Sequence, residues 1–167
     1  FVAATVYLRE SDFVRADYFL NRGISVLLTH PEIGSFYKAV ALAKAIELLS
    51  GTNDLLRANY FYQISRAYIA SQLPRSSLDY ARFKQIEGTL AAFSGDQSVL
   101  VPALTEAAAA FKVLEVPDHL RRYHSSFTLL NLAASCALNG NTECASSAID
   151  SHPLSRRRSE LIRAGRF

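Results

Sequence analysis

Four histidines, two cysteines and scattered carboxylates are the side chains of this 167-residue chain whose chemistry could make a reaction or hold an ion. Their spacing excludes most of it. Of His30, His119, His124 and His152, only His119 and His124 share a helical segment, and five positions rotate them apart by more than about 100°. That separation spoils joint ligation, and no metal is expected. No HExxH, nucleotide-binding glycine loop or GxSxG turn occurs. No two carboxylates stand in an apolar setting that would force them to share a proton. No catalytic residue and no cofactor is expected, and the chain is read as a non-enzyme.

Seven residues separate Cys136 from Cys144 across Asn139-Gly140-Asn141. Ala145, rather than Cys144, is expected to face Cys136, so the reading favours two reduced thiols. The alternative is a disulfide, which needs Cα atoms within about 7 Å and convergent side chains. Two cysteines are too few for a disulfide scaffold. A bond would argue for periplasmic or secreted residence; without it a cytoplasmic location is favoured.

The bulk properties are those of a folded chain, with half of the residues hydrophobic. The formal net charge is +3, from 18 basic and 15 acidic side chains. The basic excess sits largely in Arg156, Arg157, Arg158, Arg163 and Arg166. Without aromatic or lysine interleaving it reads as a solvated tail, and no nucleic-acid partner is expected. No apolar run reaches the length of about 20 residues that spans a bilayer. The opening FVAATVYL is too short to do so and lacks the basic flank and cleavage site of an intact signal peptide. It starts without Met, which is compatible with a preceding segment.

Strand signals are nearly absent, whereas apolar residues recur at steps of three and four. The pattern predicts an all-α chain. Breakers at 30–34, 50–53, 73–74, 94–96, 116–118, 139–141 and 151–153 divide it into helices over 12–29, 35–49, 54–72, 75–93, 98–115, 118–139, 142–150 and 155–164. Residues 1–10 read as the end of a truncated helix, and 155–167 as a capping or connector helix. Phe13, Ala16, Leu20, Ile24, Leu27 and Leu28 are the expected buried side of the first full helix; Phe36, Ala39, Ala43 and Ile46 are that of the next. Asp118 after Pro117 reads as an N-cap, and Gly140 as the left-handed stop of the preceding helix. Such short connections place sequential helices antiparallel, in a bundle or a solenoid.

The choice rests on a repeat. Leu129, Leu132, Ala133, Cys136, Gly140, Thr142, Ala145 and Ile149 run large, large, small, medium, turn glycine, then small and large on a second helix. This pattern resembles the tetratricopeptide repeat, in which small residues on two helices meet across a glycine turn. Ala133, Ala145 and Gly140 occupy those places. A second copy lies over Phe61, Ile64, Ser65, Tyr68, Gln72, Ser77 and Ala81, beginning 68 residues before the first, twice the family's repeat of about 34. A partial third copy covers Gly34, Phe36, Ala39, Ala43 and Ile46. Gly95 and Pro102 depart from the pattern.

The resemblance implies one tetratricopeptide-like domain over 1–167, its antiparallel hairpins stacked as an αα-superhelix with a concave groove for a peptide or protein. In that groove it places Asn59, Tyr62, Arg66 and Ile69. Tyr123, Phe127, Leu130 and Ala134, with Asn131 nearby, form the corresponding apolar side of a later helix. That side would take a hydrophobic ligand segment or, as favoured, lie under the chain's own terminal helix. The family's Lys/Asn/Arg clamp for a terminal carboxylate is not reproduced. The expected function is therefore protein or peptide binding without chemistry; the alternative is the input domain of a larger bacterial signalling or transcription protein. A homodimer through terminal repeats is a further expectation, with FVAATVYL as the exposed face.

Overall fold

The structure, a computed structural model, describes residues 1–153. Among them are eight α-helices and no strand: α1 (Val2–Arg9), α2 (Phe13–Thr29), α3 (Ser35–Gly51), α4 (Leu55–Gln72), α5 (Leu78–Ser94), α6 (Gln97–Val113), α7 (Asp118–Leu138) and α8 (Thr142–Ser151). The all-α expectation holds. The helix expected over 155–164 lies outside the described residues. Side chains of Asp12, Asp54, Ser77, Asp96 and Asn141 each accept a hydrogen bond from a backbone N–H of the following first turn. Those donors have no partner inside their helices, so the caps fix where each helix begins. Asp118 is a correction. It is the first residue of α7, Pro117 holds the cap position, and no side chain caps the end. The Asp118 carboxylate is taken instead by Arg121 and Arg122.

The chain divides into two compact units, Phe1–Pro74 and Arg75–Phe167. In the first, α3 is buried on most sides through Ala39, Leu42, Ala43, Ala45, Ile46, Leu48 and Leu49. An apolar sequence all round a helix is what such a central position demands. α4 packs on α3 and α1 on α2. Ala16, Leu20, Ile24 and Leu27 of α2 are buried as expected, whereas Phe13 and Leu28 are exposed, as is Phe36 of α3. Arg57 ties α4 to α2, donating to Asp17 and, at 3.0 Å, to Asn21 Oδ1.

In the second unit α5 packs on α6, α6 on α7 and α7 on α8. Gln85 of α5 also donates to Thr128 Oγ1 of α7 at 3.0 Å. Ala91, Leu100, Leu104, Leu132, Ala133, Cys136, Ala145 and Ala148 form one core cluster. The α5–α6 approach depends on Gly88, where an added Cβ would come within 2.5 Å of Leu104 Cδ2. Between α7 and α8 the chain turns at Gly140, whose φ of +70° belongs to the left-handed region, and Asn141 N–H bonds back to Cys136 O at 2.8 Å. This hydrogen bond closes the end of α7 and starts the hairpin. α7/α8 is the hairpin expected at Asn139-Gly140-Asn141, with Ala133 and Ala145 both buried. The second copy, over 61–81, straddles the division between units.

Candidate functional site

Two of the four α4 residues expected in a groove are core residues. Tyr62 and Ile69 are 3% and 0% exposed. The buried stripe of α4 is Ala58, Tyr62, Ser65 and Ile69, while Leu56, Tyr60 and Ile64 face outward. Of the second copy's residues on α4, Phe61, Ile64, Ser65, Tyr68 and Gln72, only Ser65 lies on this stripe. The physical reason is size: Ala58 and Ser65 let the neighbouring helix approach, and the larger Tyr62 and Ile69 fill the space between turns. Asn59 is half-buried and accepts from Gln63 at 3.4 Å. Arg66 is exposed, its guanidinium 6.0 Å from the centre of the Tyr62 ring, a cation–π contact. The four do not form a common surface.

On α7 the arrangement is different. Tyr123, Phe127 and Leu130 are exposed, Ala134 is exposed beside them, and Asn131 is half-buried at their edge. These residues do share a face. Nothing among the described residues covers it, and the terminal helix expected to do so lies outside them.

The second unit also carries a groove that sequence reasoning missed, a cavity of about 680 Å³ among α6, α7 and α8. Ala108, Ala109, Leu129, Leu132 and Ala148 give it an apolar floor. Thr105, Ser125, Ser147 and Ser151 add hydroxyls, and Lys112, Arg121 and Arg122 stand along its lining. Asp118, the carboxylate joined to both arginines, is held below its usual range by the hydrogen bond from Arg121 and by that residue's charge. Three cations against one carboxylate leave the rim electropositive. Alanines and serines carry little signal in a sequence. The detectable one was the basic pair at the start of α7 facing Lys112 across the turn before it.

Cys144 also lines the groove. Its Cα is 5.7 Å from that of Cys136, and the two form a disulfide across the α7–α8 turn. The expectation of reduced thiols is thus corrected. Cys144 enters the first turn of α8 with its N–H held at 3.0 Å by the Asn141 cap, which turns its side chain toward α7.

A second set of titratable groups lies between α5 and α6. Lys84 bridges Glu87 at 2.7 Å and Glu106 at 3.1 Å, and Tyr80 donates to Glu106. Burial alone would lower the Lys84 pKa, but hydrogen bonds to both carboxylates outweigh it and hold it above the ordinary value. Burial likewise works to raise Glu106, and the Tyr80 and Lys84 hydrogen bonds bring it below. Tyr80 is raised by burial and by its bond to Glu106. His124 stacks on Phe111 with ring centres 5.1 Å apart, and His152 is buried. No three His, Cys, Asp or Glu side chains converge among the described residues. No helix among them is long and apolar enough to cross a membrane. Comparison with family models, with curated proteins and with solved structures finds no match for this chain.

Proposed function

We propose that this protein is a protein-interaction module of stacked, tetratricopeptide-like hairpins, whose α6–α7–α8 groove takes an amphipathic acidic segment of a partner without chemistry. The observation that carries this reading is the groove's composition. An apolar floor rewards burial of a few partner side chains, roughly 25 cal/mol for each Å² removed from water. A rim of Lys112, Arg121 and Arg122 selects for acidic flanks and speeds encounter. The packing of each helix of the second unit on the next in chain order supports the stacked-hairpin reading. So does the glycine turn between the buried Ala133 and Ala145. The Cys136–Cys144 bond supports the periplasmic alternative for where binding occurs, since such bonds persist in oxidising compartments.

A random peptide library displayed on phage and panned against the full chain tests the proposal. Selected peptides should combine acidic and large apolar residues. They should lose at least about tenfold in affinity, or about 1.4 kcal/mol, for a chain carrying Ser147→Trp, which fills the groove, or Lys112→Glu/Arg122→Glu, which inverts its rim. Basic peptides, or binders indifferent to both variants, would overturn it.

A further inference from the structure

The outward side of α7 is a second surface, independent of the groove. Tyr123, Phe127, Leu130, Ala134 and Leu138 follow one another at steps of four, three, four and four. At 3.6 residues per turn they fall within about 80° of the helix circumference. Arg121, Arg122, Ser125, Leu129 and Leu132, which line the groove, lie on the opposite side of the same helix. The outward stripe is well exposed, at 68% for Tyr123, 49% for Phe127, 56% for Leu130 and 86% for Leu138. From Tyr123 to Leu138 the sequence contains no Asp, Glu, Lys or Arg. A solvent-facing helix side about 22 Å long without a charge is unusual for a surface that meets only water.

We infer that this face is the contact between two copies of the chain, packed with their α7 helices antiparallel about a two-fold axis near Leu130. The order of side-chain sizes carries the inference. In that register Phe127 of one copy lies opposite Ala134 of the other, Tyr123 opposite Leu138, and the two Leu130 side chains meet beside the axis. Each large ring meets a smaller residue, so one stripe is complementary to itself, as a two-fold contact requires. The absence of charge removes the repulsion that usually opposes like surfaces. The exposed stripe amounts to roughly 500 Å² per copy, so a pair would bury about 1,000 Å², the lower end of specific association.

Sedimentation velocity of the full chain from about 1 to 200 μM tests this directly. The parent should sediment at twice the 18.4 kDa chain mass in the upper part of that range. Phe127→Lys should weaken association at least about 100-fold, with the same circular dichroism as the parent because the position is half exposed. Phe127→Lys/Ala134→Glu should restore the dimer, because each introduced lysine then meets a glutamate of the other copy. A parent that stays monomeric throughout overturns the inference. A dimer indifferent to Phe127→Lys overturns it as well, and failure of the double variant to recover overturns the register. None of these readings depends on peptide binding in the groove.

Discussion

α4 and α7 are the two helices whose sequences most resemble each other in promise, both long and both carrying tyrosine and phenylalanine at helical spacing. They use those rings in opposite ways. α4 turns Tyr62 into the core of its unit and leaves Leu56, Tyr60 and Ile64 outside. In α7 the core receives Thr128, Leu132, Ala133, Ser135 and Cys136, while Tyr123, Phe127 and Leu130 stay outside. The difference teaches that helix phase here follows small residues and shape rather than hydrophobicity alone. Ala58 and Ser65 select the face of α4 that can approach α3; Ala133 and Cys136 do the same for α7 against α6 and α8.

The contrast is broken most severely by truncating the buried ring. Tyr62→Ala should lower stability in urea by about 3 kcal/mol, whereas Tyr123→Ala, at concentrations where the chain is monomeric, should stay within about 0.5 kcal/mol of the parent. Equal losses would mean that the two rings are not differently buried. Reduction of the Cys136–Cys144 bond by a dithiol should cost about 2.5 kcal/mol in the same assay, as expected for freeing so short a loop in the unfolded chain. No change would place the pair among thiols that are free in solution.

A smaller effect concerns α5 and α6, which Lys84 joins through Glu106. Lys84→Met should cost about 1 kcal/mol at neutral pH, a figure reduced for the partly exposed Glu106 carboxylate. Glu106 has a depressed folded pKa, so its stabilisation is present above the ordinary value of 4.5 and lost as pH falls through the folded value. The Lys84 pKa is raised, so its share is present below the ordinary 10.5 and lost as pH rises through the folded value. The difference between parent and variant should therefore shrink at both extremes, which unfolding curves across the pH range would reveal. The smallest expected effect is that of Arg66→Ala, within about 0.5 kcal/mol, because its cation–π contact to Tyr62 is made from an exposed position.

Helix boundaries were legible because breakers and caps are local. Asp12, Asp54 and Asp96 sit where a side-chain acceptor meets the first turn, and Gly140 where only a left-handed residue ends α7 cleanly. Asp118 misled because two arginines, three and four positions on, compete for its carboxylate. The α7/α8 hairpin was legible from Ala133, Gly140 and Ala145. The side of α4 facing inward was not, since apolar residues occupy both of its sides and only the neighbouring helix decides between them. The groove was hidden for a related reason: Ala108, Ala109 and Ala148 become a floor only when three helices are brought together.

The most direct measurement of the central claim is an amide chemical-shift map of the full chain, titrated with a peptide recovered from the acidic, amphipathic class. The account predicts shifts confined to the groove's walls, at Thr105, Lys112, Ser125, Leu129, Ser147 and Ser151, with α4 silent. Shifts centred instead on Asn59 and Arg66, or on the Tyr123 and Phe127 side of α7, would contradict it.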